Sequence, residues 1–126
     1  MIDGVNPQVI QDLGRELNSP HAALRFLTDF LAMLPQRFTR IQSAVAAQDS
    51  EDAMDAVLSL KITAAMTGAS ETEAGCLALQ ASIKNEDFAV AQIQTRQLGD
   101  IVARLNQAAQ PFSRAQGSFG PCAERR

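Results

Sequence analysis

The sequence has few of the residues on which most catalytic and metal sites depend. Its 126 residues include one histidine, two cysteines and no tryptophan or tyrosine. Cys76 and Cys122 are far apart, so we interpret them as a small buried residue and a free thiol rather than as a disulfide. No His, Cys or acidic residues have the spacing of a metal site. We therefore expect neither a metal nor a cofactor, and no disulfide is needed for folding.

Long apolar runs and clustered positive charge are also missing. No stretch reaches the roughly 18 consecutive apolar residues that a membrane span needs. Residues 1–7 lack the basic region and apolar run of a signal peptide. The net charge of −3 argues against nucleic-acid binding, because phosphates are neutralised by clustered Lys and Arg. We expect a cytoplasmic protein that binds neither membranes nor nucleic acid and whose partner is another protein.

What the sequence has in abundance is alanine and helical periodicity. The length fits one domain, and an Ala-rich, aromatic-poor composition favours helices that pack closely. No alternating strand pattern competes. We predict an all-α fold, an antiparallel four-helix bundle with a short N-terminal lid helix, over residues 1–110. Residues 111–126 are predicted to form a flexible C-terminal tail.

Proline and capping residues indicate where the first two helices begin. Residues 1–6 are expected to form a loose arm, and Pro7 suits the first turn of the lid helix. Ser19 is expected to cap a long helix that ends near Gln48. Pro35 lies inside this helix, where it removes one hydrogen bond and is expected to bend the helix.

Similar signals mark the last two helices. Ser70 and Glu73 have the spacing of a capping box. They open a helix that runs through the apolar residues Cys76, Leu77, Leu79 and Ile83. Asn85 is expected to cap the last helix, which should end near Ala109, ahead of Pro111.

The central helix, predicted from Asp49–Ser50 to Gly68, carries two apolar stripes. At about 100° per residue, six residues share the face expected to meet the core, namely Ala53, Ala56, Val57, Leu60, Ala64 and Thr67. A second stripe lies about 100° further round the helix and consists of Met54, Leu58, Ile62 and Ala65, with Lys61 between the two stripes. A helix with two apolar sides is either buried on both or offers one to a partner.

The segment that begins at Leu58 resembles the signature of histidine phosphotransfer (HPt) domains, H-x-x-K-G with a Gly-Ala pair closing the helix. Four residues match the pattern, namely Lys61, Ala64, Gly68 and Ala69. The resemblance extends over roughly residues 8 to 105, and it implies the same bundle of four long helices with an N-terminal lid. In this comparison Leu58 stands at the position of the phosphoaccepting histidine, and Ile62 at the position of the glycine.

The resemblance implies that phosphotransfer chemistry is lost. Transfer needs an imidazole nitrogen to attack an aspartyl phosphate, with a lysine one helical turn away to balance the charge. Lys61 is present, but Leu58 has no nitrogen and Ile62 fills the space that glycine would leave. We therefore assign no catalytic residue, and Leu58 is a substituted phosphoacceptor position.

Other polar residues give no alternative catalytic site. His21, the only histidine, has no lysine three residues further on and is best interpreted as a solvated residue in the first turn of a helix. Ser59 has no recognisable base, so a hydrolase is not expected. The acidic residues in 49–55 lack the pattern of a calcium loop, and they balance the positive end of a helix.

Two functional hypotheses remain. In the first, the chain is a non-catalytic HPt-like signalling module that binds a receiver domain or a histidine kinase without moving phosphate. Five residues are the predicted partner-binding surface, namely Met54, Leu58, Lys61, Ile62 and Ala65. In the alternative, the chain is a structural or homodimeric assembly domain in which the second stripe is covered by a second copy, by the lid or by the tail, through Phe112 and Phe119.

Overall fold

The computed structural model describes residues 2–117 and consists of five α-helices joined by short loops. They are α1 (Pro7–Glu16), α2 (Pro20–Ala46), α3 (Ser50–Thr67), α4 (Ser70–Lys84) and α5 (Phe88–Gly117). The described residues contain no strand, so the all-α prediction is confirmed. Residue 1 and residues 118–126, which include most of the predicted tail and Cys122, lie outside the described residues.

The first three helices begin at side-chain caps that were visible in the sequence. Ser19 Oγ accepts a hydrogen bond from the Ala22 N–H (3.0 Å). The carboxylate of Asp49 accepts one from the Asp52 N–H (3.0 Å), and Asn6 caps α1 in the same way. These bonds satisfy N–H groups that have no partner inside the helix.

The predicted caps of the last two helices were wrong. Ala69 occupies the N-cap position of α4 without a side-chain bond, and Ser70 is already helical. Asn85 ends α4 instead of opening α5. The cap of α5 is Asp87, whose Oδ1 accepts from the Val90 N–H (3.3 Å).

The N-terminal arm is packed, not loose as predicted. The side chains of Ile2 and Val5 are only 5% and 6% exposed. The Asn6 N–H donates to the carbonyl oxygen of Gly68 at 3.0 Å, which ties the arm to the end of α3. Apolar residues at positions 2 and 5 explain the difference, because both side chains are removed from water.

Two prolines, Pro35 and Pro111, lie inside continuous helices. Pro35 lies within α2, which is assigned as one uninterrupted helix to Ala46. The backbone of α5 continues past Pro111 to Gly117, so the predicted end near Ala109 was too early.

Polar contacts fix the order of the bundle. Arg37 on α2 donates to Ser59 on α3, Lys61 on α3 to Gln80 on α4, and Ser82 on α4 to Gln94 on α5. Each consecutive pair of long helices therefore runs antiparallel, and α2 also packs against α5, while α1 covers α2 and the end of α3. The predicted four-helix bundle with a lid is the observed architecture.

The core lies between the four long helices and is almost entirely aliphatic. The largest fully buried side chains include Leu27, Leu34, Ile41, Leu60, Leu79, Ile83 and Leu98. Burying one such side chain stabilises the fold by about 1.5–3 kcal/mol. The core needs no disulfide, and Cys76 within it is a free thiol.

Candidate protein-binding site

The first stripe of α3 is buried as predicted. All six of its residues are at most 3% exposed, and they are the complete set of buried residues on α3: Ala53, Ala56, Val57, Leu60, Ala64 and Thr67. The helical period therefore fixes which side of α3 meets the core. The second stripe lies outside this buried side.

The second stripe becomes more exposed along the helix. Met54 is partly buried against the core, and Leu58 is half-buried. Ile62 is 56% exposed, and Ala65 is exposed as well. Neither the lid nor another described part of the chain covers Ile62. Ile62 therefore places a large aliphatic side chain on the surface, and it marks an interaction site only where further exposed apolar residues adjoin it.

Lys61 lies at the seam between α3 and α4, not free in solvent. Its Nζ donates a hydrogen bond to Gln80 Oε1 at 2.9 Å, and the side chain is half-buried. Its role in the described structure is to join two helices.

Leu77 adds an exposed apolar side chain on α4, and the predicted partner-binding surface did not include this residue. It is 51% exposed. Gln80, the partner of Lys61, lies three residues further along α4, so Leu77 and Gln80 are neighbours on the helix surface beside α3. The helical period contained the signal, because Cys76, Leu79 and Ile83 fill the buried stripe of α4 and Leu77 falls outside it. We name Leu58, Ile62, Ala65 and Leu77 the α3–α4 face.

Cys76 supplies packing rather than chemistry. Its side chain is fully buried between the helices. Burial raises the pKa of the thiol to about 12, although the positive charge of Lys61 opposes the shift. Because the thiolate is the reactive form, Cys76 is inert at neutral pH.

The acidic residues near the start of α3 are tied to α2. Arg40 Nη2 lies 2.6 Å from Asp52 Oδ1 and 2.9 Å from Asp55 Oδ2. Beside this pair, Arg37 Nη1 donates to Ser59 Oγ at 3.0 Å, so Ser59 serves as a helix-to-helix contact. No group of potential metal ligands occurs among residues 2–110 with described side chains.

His21 lies far from the α3–α4 face. It is exposed in the first turn of α2. The bond from Arg37 to Ser59 places Leu58 level with the middle of α2, about 25 Å along the axis from His21 at 1.5 Å per residue. The structure does not bring His21 together with any predicted site residue.

The predicted cover by Phe112 and Phe119 involves side chains outside the described residues.

The described fold and its exposed face define a class of protein. It is an antiparallel four-helix bundle in which the described side chains do not form a recognisable catalytic site. Its second long helix, α3, carries the partly exposed residue Leu58 where α3 packs against α4. No helix in the described part of the chain has both the length and the apolar character that would let it cross a membrane.

The comparison with family models names the family. The Hpt domain model matches residues 25–108, which is most of the chain, and the chain belongs to this family. Hpt domains carry phosphoryl groups between proteins of phosphorelays and are not classical enzymes, so the chain is a phosphorelay signalling module. No curated protein and no solved structure matches the chain.

Proposed function

We propose that the chain is a non-catalytic Hpt module that binds a receiver domain or a histidine kinase without transferring phosphate. Hpt domains interact with both kinds of partner, which supports this choice. The surface that we assign to the partner is the α3–α4 face, together with Met54 and Lys61 at its edges. The cytoplasm, where such partners exchange signals, is the proposed location.

The observation that carries the proposal is the combination at positions 58 and 62. A leucine side chain has neither a nucleophilic atom nor a proton to exchange, so it cannot form a phosphoramidate. Ile62, 56% exposed, occupies the surface beside it. Loss of the acceptor leaves the fold intact, because the buried stripe of α3 does not include either residue.

The exposed apolar residues support binding as the retained activity. Ile62 and Leu77 contribute two large aliphatic side chains, each more than half exposed, on two adjacent helices. Interfaces concentrate such groups at their centres, where water is excluded. The same surface would suit a second copy of the chain, which is the homodimeric alternative.

A phosphotransfer assay tests the proposal. The chain is mixed with each radiolabelled phospho-receiver domain from the same genome, and binding is measured in parallel by calorimetry. We expect at least one receiver or kinase to bind and the chain to remain unlabelled. Acid-labile label on the chain would contradict the proposal, and its loss in His21→Ala would assign the label to His21. If no receiver or kinase binds and the chain sediments as a dimer, the assembly alternative is correct.

A further inference from the structure

A shallow groove adjoins the α3–α4 face at the end where α3 begins. It encloses about 730 Å³ and is open to solvent along its length. Its apolar lining consists of Met54 and Leu58 from α3 and Ile83 from α4. Leu58 belongs both to this groove and to the α3–α4 face, so the two surfaces are continuous.

The rim of the groove is strongly acidic. Five carboxylates line it, from Asp49, Glu51, Asp52, Asp55 and Glu86. The lining has a single cation, Lys84, and Arg40 pairs with Asp52 and Asp55 from the side of α2. Three negative charges on this rim therefore remain unbalanced, directly beside the α3–α4 face.

This arrangement constrains what can cover Leu58. A partner that buries Leu58 also brings its own surface close to the rim, where uncompensated carboxylates would lose solvation. A negatively charged partner surface would be repelled, whereas lysine or arginine side chains would be attracted and would speed the encounter. Charge complementarity therefore selects both the partner and its orientation.

We propose that the docking element of the partner is apolar at its centre and carries lysine or arginine residues on the side that meets the start of α3. The inference rests on the proposed function and specifies the partner surface that fits it. Ile62 and Leu77 contact the apolar part of this element, and the rim of Glu51 and Glu86 contacts its basic part. The pairing orients the partner along α3.

Charge reversal tests the inference with a receiver domain that binds the wild-type chain. The test variant is Glu51→Lys with Glu86→Lys. The matched control is Asp29→Lys with Asp100→Lys, which changes the net charge equally at exposed positions on α2 and α5. We expect the test variant to weaken binding about tenfold or more, and the control less than about twofold. Raising the salt from about 50 mM to about 500 mM should weaken wild-type binding, because the Debye length shortens.

Each other outcome decides against the inference in a distinct way. Equal affinity of the wild-type chain and the test variant, with both folded by circular dichroism, would overturn the basic docking element and leave receiver binding intact. If neither a receiver domain nor a histidine kinase binds the wild-type chain, the proposed function fails and the inference with it. A wild-type dimer that dissociates in the test variant would assign the surface to a second copy of the chain.

Discussion

At the scale of single residues, two leucines on α3 have different roles: Leu60 stabilises the core, and Leu58 is assigned to the binding surface. Leu60 is fully buried between the helices, whereas Leu58, two positions earlier, is half-buried at the α3–α4 seam. The two side chains have the same composition and differ only in the direction in which the helix presents them. Their substitution should therefore have different consequences.

Truncation of the two leucines measures this difference. Leu60→Ala should lower the free energy of unfolding by about 2–5 kcal/mol, because it leaves a cavity in the core. Leu58→Ala should cost less, about 1–2 kcal/mol, since part of the side chain is already in contact with water. Urea unfolding of both variants gives the comparison. Equal and large losses would show that Leu58 belongs to the core and is not available to a partner.

Residue types alone could predict the buried stripe of α3 and the absence of an imidazole at position 58. They could not predict that Lys61 is held by Gln80, because the two residues are 19 positions apart in sequence and meet only when α3 and α4 pack. Leu77 was absent from the predicted binding surface for a related reason. Its position on α4 points it past the core, but its place beside α3 depends on how the two helices pack.

At the scale of the helices, the connection from α3 to α4 depends on one glycine. Gly68 has φ = 77°, a conformation that residues with a side chain rarely adopt. The N–H of Ala69 donates back to the carbonyl of Ala64 at 2.9 Å, which closes the end of α3. Gly68 was predicted from the sequence as the helix end. The start of α4 was predicted one residue too late, because the capping-box pattern placed the N-cap at Ser70 and not at Ala69.

Substitution of Gly68 tests this connection. A Cβ at position 68 would lie 2.9 Å from the carbonyl oxygen of Asn6, which is backbone and cannot move aside cheaply. Gly68→Ala should therefore destabilise the fold by more than about 1 kcal/mol in thermal or urea unfolding.

Gly75→Ala is the matched control. Its added Cβ would meet Leu98 Cδ1, the end of a flexible side chain, at 2.9 Å. The helix propensity gained inside α4, about 1 kcal/mol, offsets the adjustment of Leu98. We expect near-neutral stability for this variant. Similar losses in both variants would mean that the backbone conformation at position 68 is not the cause.

At the scale of the whole molecule, the bundle separates the core from the surface that remains for a partner. The N-terminal arm and α1 pack at the end of α3, and α5 packs against α2 and α4. None of the described segments therefore covers Ile62 or Leu77, which are both more than half exposed. The buried stripe that holds α3 in the bundle does not include Leu58 or Ile62, so residues at these two positions can vary without changing the core.

The most direct test of the proposed binding face is the affinity of a receiver domain or kinase for a chain with Ile62→Lys and Leu77→Lys. Both side chains are more than half exposed, so the substitutions should change stability by about 0.5 kcal/mol or less each. Ile93→Lys, at a position 49% exposed on α5, is the control for an added charge at an exposed isoleucine. Calorimetric titration should show binding by the wild-type chain and by the Ile93→Lys control, and at least about a tenfold loss in the double variant. Unchanged affinity of a folded double variant would contradict the account, because the partner would then bind elsewhere than the α3–α4 face.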